Sequence, residues 1–389
     1  MKGKGRLWAL LLCLALLVGC GAEEPQATAD APAPALTAPT AEAETTAPPA
    51  ATTEEPIVPE PGDSSLVLWY AQDMPAAEAF TMMAAAYAGD HPDRPLFIHA
   101  FASTEELRTA MSFGRPDLLL CDGALAASLA EEGRLAGSEP AAELRPVFRD
   151  GPAGFQPLGA VLPVLTVRQD QRDQLPEVWT LEALCAAASG YGRRMERPYF
   201  SADSFASLFS GTLRQKDSPF YAMREQDLES EAYREVYNLL ADAAFEGGLV
   251  SLDEPVLAAV ERGDLICGIC SSQELLNTDR EALAVLPLPP LAGCELQAEG
   301  EIWGLALLAG ENTESAEDFL GEALALPSMP DVLTAAGLLP AWGDSWGGAE
   351  DFSAVLETGR ICISGEESGY ANYGAKFEQS FRAALALLG

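Results

Sequence analysis

The chain has 389 residues and a formal net charge of −36 at pH 7, from 59 acidic and 23 basic residues. Nine of the acids lie in residues 21–64 and three of the basic residues in residues 1–20, which leaves a net charge of −30 on residues 65–389. A negative excess of this size repels nucleic acid and anionic lipid surfaces, and it disfavours a strongly anionic ligand. We therefore expect no nucleic-acid partner.

The first twenty residues have the layout of an export signal. Three basic residues precede residues 7–18, an apolar run that is too short to cross a bilayer. The run ends in residues 17–20, LVGC, which resemble the lipobox of bacterial lipoproteins. In that family the cysteine is lipidated, so we expect Cys20 to anchor the chain to the outer face of the cytoplasmic membrane. The alternatives are an uncleaved anchor and an ordinary signal with a chance cysteine.

Residues 21–64 have the composition of a disordered tether. They contain nine prolines, nine acids and no Lys or Arg. Such a segment does not bury enough apolar surface to fold, and proline and like-charge repulsion keep it extended. We expect it to reach on the order of 40 Å or more from the membrane.

Short apolar strands alternate with helices after the tether. The sequence predicts strands at residues 66–70, 96–100 and 117–121, and helices at residues 76–89 and 124–132. Apolar strands in this alternation are typical of a parallel sheet covered on both faces. Ligands of open sheets lie at the carboxyl ends of the strands, which makes Trp69, Tyr70 and Asp122 candidates for a binding site.

The cysteines and histidines do not form a recognisable metal or redox motif. Cys267 and Cys270 form a C-x-x-C pair, but they lie in a predicted strand, where residues three apart point to opposite faces. His91 and His99 are the only histidines, and both are far from this pair in sequence. We expect structural cysteines, no metal and no cofactor.

Common catalytic motifs are missing from the sequence or lack the context that they need. The G-x-S-x-G pattern at residues 343–347 does not follow a predicted strand, no H-E-x-x-H occurs, and no Walker loop or G-x-G-x-x-G follows a predicted strand. A glycosidase needs only two carboxylates, so that class stays open as the less favoured alternative. We expect a protein that is not an enzyme.

Eight short segments follow one another in a recognisable order. They are residues 66–92, 107–120, 129–135, 175–184, 256–266, 286–289, 304–326 and 337–341. In this order they resemble the extracellular solute-binding lipoproteins of ABC importers, in the carbohydrate-binding group that includes maltose-binding protein. The sequence departs from that group at residues 165–168 and after Gly263, and residues 190–221 match none of its motifs, which bears on the identity of the solute.

The resemblance implies an α/β fold of the two-lobed, periplasmic-binding-protein-like type, with a ligand cleft between lobes that are joined by crossing hinge segments. We expect the crossings at three X-Pro steps, Leu162-Pro163, Leu286-Pro287 and Leu326-Pro327. The expected lobes are then residues 66–162 with 287–326, and residues 163–286 with 327–389.

The resemblance also implies a function. A monomer would capture a small solute outside the cell, in this group a sugar or oligosaccharide, and deliver it to the membrane subunits of an ABC permease. The alternative is a surface lipoprotein of the same fold that binds a protein partner or serves as a sensor subunit.

Sugar recognition needs aromatic rings for the apolar C–H face of the sugar and polar side chains for its hydroxyl groups. The candidates are Trp69, Tyr70, Asp122, Trp303, Trp342, Trp346, Tyr370 and Tyr373. Trp342 and Trp346 are the most suggestive, because they lie in a Gly/Asp-rich loop after Pro340. For each tryptophan the alternative is packing against the body of a lobe.

Overall fold

The computed structural model describes residues 65–217, 230–343, 345–363 and 370–388, and only the backbone of residues 362–363, 370–373 and 388. The expected signal, the expected lipidation site Cys20 and the expected tether lie outside the described residues. Among the described helices, none is long and apolar enough to cross a membrane.

The described residues form eleven strands and twelve α-helices. The strands are β1 (Leu66–Ala71), β2 (Leu96–Phe101), β3 (Leu118–Asp122), β4 (Phe155–Val161), β5 (Pro163–Arg168), β6 (Phe200–Ala202), β7 (Cys267–Ser271), β8 (Leu283–Leu286), β9 (Gln297–Leu307), β10 (Leu339–Pro340) and β11 (Arg360–Ile363). The helices are α1 (Ala77–Asp90), α2 (Thr104–Ala110), α3 (Gly123–Glu131), α4 (Leu181–Met195), α5 (Phe205–Arg214), α6 (Glu231–Phe245), α7 (Val256–Arg262), α8 (Ser272–Leu276), α9 (Thr313–Leu324), α10 (Met329–Ala335), α11 (Ser353–Glu357) and α12 (Tyr370–Leu388). The strands and helices predicted for residues 66–132 are confirmed, with their ends shifted by one residue.

The strands form two sheets. The first has the order β10-β4-β9-β3-β1-β2, with β11 paired to β9, and the second has the order β6-β7-β5-β8. Strand β1 lies parallel to both β2 and β3, as the alternation of strands and helices predicted. Strand β9 enters the first sheet antiparallel to β3 and β4, so the complete sheet is mixed rather than parallel.

Two hydrophobic clusters fill the fold. The first covers the first sheet and one face of the second sheet, and the second cluster covers the other face. Side chains of β5, β7 and β8 alternate between the clusters, with Val164 and Cys270 in the first and Leu165 and Cys267 in the second. The C-x-x-C cysteines therefore point to opposite faces of β7, as predicted, and both are free, buried thiols.

The chain passes between the sheets three times. It first passes at Leu162, because β4 ends at Val161 and β5 begins at Pro163. It returns along β9, which directly follows Leu296 of the second cluster and pairs along residues 301–306 with β4 of the first sheet. It passes a third time between β11 and α12, which packs in the second cluster.

Residues 327–357 lie in the first lobe, which differs from the expected assignment. Strand β10 pairs with β4, and the side chains of Leu333 and Phe352 pack in the first cluster. The Leu326-Pro327 step separates α9 from α10 within that lobe. Proline disfavours helix at the preceding residue. An X-Pro step is therefore as typical of a loop inside one lobe as of a segment that crosses between lobes.

The segment between β8 and β9 also differs from the expected lobe assignment, because it lies in the second lobe rather than in the first. Its residues Leu288 and Leu291 pack in the second cluster, so the chain is still in the second lobe after Leu286-Pro287. The crossing comes about twelve residues later, within β9, where no proline occurs. A strand that continues from one lobe into the other has no turn residue to mark it in the sequence.

Glycine at position 304 is required by the close approach of β4 to β9. A Cβ atom there would overlap the carbonyl oxygen of Gln156 and lie 2.6 Å from the Phe155 ring. Gly304→Ala should therefore lower the free energy of unfolding by about 1–3 kcal/mol. Gly321→Ala on α9 is the matched control, because no atom lies within 4 Å of its added methyl group.

The Gly321→Ala control should leave the free energy of unfolding unchanged or raise it by up to about 1 kcal/mol, because alanine is the better helix former. Urea unfolding followed by tryptophan fluorescence measures both variants. Equal destabilisation by the two substitutions would contradict the packing described for β9.

Candidate functional site

A cavity of about 430 Å³ lies between the strand ends of the two sheets. Its wall includes residues 161–163 and 299–301, the places where the chain crosses between the sheets. The ends of β6 and β7, the start of α5 and two residues of α12 complete the described wall. Because two of the crossings form its wall, a bending motion at these segments changes the shape of the cavity.

The loop after β6 reaches the cavity as a helix cap. Ser204 precedes α5, and its hydroxyl accepts a hydrogen bond from the Ser207 N–H at 3.0 Å. The carboxylate of Asp203 accepts a hydrogen bond from the Val256 N–H at 3.0 Å, which fixes the loop against α7. Both loop residues line the cavity. Backbone interactions therefore position this part of the wall.

Helix α12 forms the opposite wall with Gly374 and Ala375. The Glu378 carboxylate accepts a hydrogen bond from the Ala206 N–H at 2.7 Å. The guanidinium of Arg382 donates to the carbonyl oxygen of Asp203 and to Glu378, both at 2.6 Å. These bonds tie the helix that follows the third crossing to the cap loop of α5.

Glu299 places a carboxyl group inside the cavity wall. The residue is 5% exposed, and alternation along β9 puts Glu301 on the same face of the strand. Burial raises the pKa of Glu299 to about 7, against the opposing effects of a hydrogen bond from Ser210 and the positive charge of Arg214. The group is therefore about half ionised near neutral pH.

Two of the tryptophan candidates are core residues. Trp69 is 2% exposed, and its ring meets Phe101 edge-on with the ring centres 5.2 Å apart. Trp342 is buried, and its indole N–H donates to the carbonyl oxygen of Leu324 at 3.2 Å. Neither lines the described cavity wall. Both fit the alternative of packing against the lobe body.

Trp346 lies in the loop after β10, on the first lobe. The guanidinium carbon of Arg145 lies 3.5 Å from the centre of a Trp346 ring, and Arg145 also donates to the carbonyl oxygen of Ser345 at 3.1 Å. A cation above the ring occupies the face that a sugar would use. The structure places Trp346 outside the described wall of the cavity.

Asp122 and Tyr70 are engaged in local structure at the strand ends. The Asp122 carboxylate caps α3 by accepting the Leu125 N–H at 2.7 Å, and it pairs with Arg108 at 2.7 Å. The ring of Tyr70 packs against that of Phe80, with the ring centres 5.4 Å apart. Asp122 is in register with Trp303 on β9, the one pair of candidates that the described sheet brings together.

Trp303 lies close to the cavity along the chain. It is half-buried, two residues beyond Glu301, and alternation puts both on the same face of β9. Tyr370 and Tyr373 fall in the first turn of α12, ahead of the wall residues Gly374 and Ala375. The side chains of both tyrosines lie outside the described residues.

Three carboxyl groups line the cavity, those of Asp203, Glu299 and Glu301. The sequence favours a helix cap over a ligand contact for Asp203, which lies between Ser201 and Ser204, and the sequence analysis did not single out the two glutamates. A signal for two of them is present in residues 299–301, where two acids flank a glycine in a strand-like run. A glycine inside a strand marks a site where another chain segment or a ligand approaches closely. Here a Cβ atom on Gly300 would lie 2.5 Å from the Leu162 side chain, at the neighbouring crossing.

Comparisons with known proteins identify the fold. No protein-family model matches the sequence, and neither does any curated protein. The cyclic alpha-maltosyl-1,6-maltose binding protein from Arthrobacter globiformis is similar over 83% of this chain and 99% of its own, with 16% identity and a TM-score of 0.55.

Two further solved structures are similar over 83% of this chain. They are the GacH receptor of Streptomyces glaucescens, solved unliganded and with acarbose (15% identity, TM-score 0.51, 98% of that chain), and an ABC substrate-binding protein from Listeria monocytogenes in complex with cycloalternan (12% identity, TM-score 0.54, 96% of that chain). At these identities the similarity establishes the fold. The predicted two-lobed, periplasmic-binding-protein-like α/β fold is confirmed.

The raised pKa of Glu299 predicts a pH-dependent effect of Glu299→Gln on stability. The pKa is about 7 in the folded chain against 4.5 for an unperturbed glutamate. The folded state therefore prefers the protonated form, and the stability that this preference contributes is lost as the pH rises from about 4.5 to about 7. Above that range the folded protein bears the full cost of a buried charge.

Glutamine is neutral throughout, so Glu299→Gln should raise the free energy of unfolding at about pH 8 by roughly 2–3 kcal/mol. The difference from the unsubstituted chain should disappear below about pH 4.5. Urea titrations across this pH range measure it. A variant that is less stable than the unsubstituted chain at about pH 8 would contradict the assigned burial of the carboxylate.

Proposed function

We propose that the protein captures a small solute outside the cell, a sugar or oligosaccharide, and delivers it to the membrane subunits of an ABC permease. The cavity at the crossing segments is the observation that carries this proposal. Its volume of about 430 Å³ is in the range typical of small-molecule sites. Its place between the lobes is where a two-lobed fold can enclose a ligand.

The similar structures support a binding role rather than catalysis. The Arthrobacter protein is described as a maltosyl-maltose binding protein, the Streptomyces protein as a receptor that binds acarbose, and the Listeria protein as an ABC substrate-binding protein. This chain shares their fold over most of its length. We extend solute binding and the partnership with a permease to it on that basis.

Closure of the lobes would couple binding to delivery. In the open form the solute enters between the strand ends, and bending at residues 161–163 and 299–301 then brings the two sheets together around it. The solute favours closure only if it binds the closed form more tightly than the open form. The closed form docks on the permease as a monomer, and opening there releases the solute.

The proposed ligand contacts are inferred from the positions of the aromatic residues along β9 and α12, next to residues of the cavity wall. Trp303 continues the face of β9 that carries Glu299 and Glu301, and Tyr370 and Tyr373 begin the helix whose next residues line the cavity. We retain these three aromatic residues as candidates for stacking on a sugar ring. Of the other candidates, Trp69 and Trp342 are assigned to the core.

The lipobox would hold this binding unit beside the permease. With lipid on Cys20 and an extended tether over residues 21–64, the folded lobes stay at the outer face of the cytoplasmic membrane. This arrangement lets the cavity sample the exterior while the chain remains within reach of its membrane partner.

Lipidation of Cys20 is tested by metabolic labelling of the expressed full chain with a fatty acid analogue. The unsubstituted chain should take up the label, and Cys20→Ser should lose it because serine offers no thiol for the lipid. Cys13→Ser, which changes the other cysteine of the leader, should stay labelled. Label that persists in Cys20→Ser would refute the assignment of the lipobox.

Solute binding is tested by the melting temperature of the full chain against a panel of saccharides, polyols, amino acids and short peptides. A solute that binds the folded state alone adds about 2.7 kcal/mol of stability at a hundredfold excess over Kd. Ala375→Trp should abolish the shift, because an indole on this exposed wall residue fills the cavity.

The matched control is Ala335→Trp, which places the same side chain on an exposed position of α10 outside the cavity. It should keep the shift of the unsubstituted chain. A cooperative melt with no shift across the whole panel would oppose the proposal and favour a surface lipoprotein that binds a protein partner.

A further inference from the structure

The side chain of Arg382 in α12 joins three segments of the chain beside the cavity. Its guanidinium donates to five acceptors among the described residues, namely the Glu378 carboxylate, the Ser251 hydroxyl, and the carbonyl oxygens of Ala202, Asp203 and Leu252. The shortest of these bonds run from Nε to Glu378 and from Nη2 to Asp203, both at 2.6 Å. One side chain therefore connects α12 with the end of β6 and with the loop that precedes α7.

Two of these segments form parts of the cavity wall. Residues 203–204 line the cavity on one side and residues 374–375 of α12 on the other, whereas Arg382 does not belong to the described wall. The bonds of Arg382 act together with Glu378, which accepts the N–H of the wall residue Ala206 at 2.7 Å. The spacing between the loop after β6 and the start of α12 therefore depends on this pair of side chains.

A guanidinium group suits this position because its three nitrogen atoms point in different directions in one plane. Nε faces Glu378, Nη1 faces the Ser251 hydroxyl and Nη2 faces the Asp203 carbonyl oxygen. The guanidinium carbon also lies 5.2 Å from the ring centre of Phe205, the first residue of α5. Lysine would keep the positive charge, but its single nitrogen atom cannot reach acceptors on three sides.

We propose that Arg382 is a positioning residue of the solute site, which holds the loop after β6 and the start of α12 at the spacing that a bound solute requires. The inference rests on the proposed solute capture at this cavity and adds a residue that controls it without touching the solute. A wall that is fixed before binding loses less conformational freedom when the solute binds. Loss of the Arg382 bonds should therefore weaken binding.

The first test is hydrogen exchange of the full chain, followed by mass spectrometry, in Arg382→Lys. The backbone amides of residues 203–207 and 374–378 should exchange at least about tenfold faster than in the unsubstituted chain, because charge-assisted hydrogen bonds that restrain local opening are lost. The amides of β5 and β7, in the same lobe, should keep their exchange rates. This readout needs no solute.

The matched control is Arg145→Lys. Arg145 also donates to two backbone carbonyl groups, those of Pro340 and Ser345, and its guanidinium lies over an aromatic ring, that of Trp346. These contacts lie in the first lobe and outside the described cavity wall. The control should therefore leave the exchange of residues 203–207 and 374–378 unchanged.

The second test is calorimetric titration of the same three chains with maltotriose near pH 7. Arg382→Lys should bind maltotriose at least about tenfold more weakly than the unsubstituted chain, because the wall is no longer held in place. Arg145→Lys should bind within about twofold of the unsubstituted chain. A purely structural role of Arg382 would lower the melting temperature without this difference in affinity.

The outcomes separate this inference from the proposal on which it rests. Unchanged exchange at the wall of Arg382→Lys, or an equal increase throughout the second lobe, refutes the positioning role, and so does equal affinity of both variants for maltotriose. If the unsubstituted chain does not bind maltotriose, that result opposes saccharide capture, and the exchange data still decide the role of Arg382.

Glu378→Gln replaces Arg382→Lys if the latter does not melt cooperatively. Glutamine keeps an oxygen for the Ala206 N–H but removes the charge that pairs with Arg382. The same wall amides should exchange faster in this variant, by a smaller factor. Exchange rates equal to those of the unsubstituted chain would refute the positioning role.

Discussion

The backbone pairing of β9 is the constraint on which the two-lobed arrangement depends. Its first residues follow Leu296 of the second cluster and pack against α5, and its later residues lie between β3 and β4, so one continuous strand contacts both parts of the fold. Helix α5 packs against the start of this strand so closely that a Cβ on Gly211 would lie 2.8 Å from the carbonyl oxygen of Gln297. A continuous strand, rather than a flexible linker, therefore sets the position of the second lobe relative to the first.

The same strand carries the chemistry of the cavity. The alternation of side chains that buries Ile302 and Ala306 in the first cluster also directs Glu299 and Glu301 to the cavity wall. A buried carboxyl group reduces the stability of the fold when it is ionised, as the raised pKa of Glu299 reflects. A cost of this kind at a cavity between lobes is typical of a functional group rather than a structural one.

Local features of the fold were predictable from the sequence because they depend on neighbouring residues. The S-x-x-E pattern at Ser103 is the sequence signature of a capping box and forms one, in which the Ser103 hydroxyl accepts the Glu106 N–H at 3.2 Å and Glu106 accepts the Ala102 N–H at 2.9 Å. The parallel pairing of β1 with its neighbours followed from apolar strands that alternate with helices. The later crossings did not follow, because β9 finds its partners through contacts far apart in sequence.

The candidate site was predictable only in outline. The strand ends pointed to Tyr70 and Asp122, which do not line the described cavity wall, although Asp122 is in register with Trp303 on β9. The identity of an aromatic residue does not reveal whether it faces a core or a cleft, so Trp69 and Trp342 were indistinguishable from ligand contacts until their burial was known. Asp203 and Glu299 line the same cavity from different sheets, which only the tertiary fold reveals.

A crystal structure of the full chain with a solute that raises its melting temperature tests the binding site most directly. The solute should lie against Val161, Ser271 and Glu301, with the ends of the two sheets closer together than in the structure described here. A solute bound elsewhere would contradict the assignment, for example in the cavity of about 360 Å³ that is lined by Arg94 and Asp318 on the first lobe.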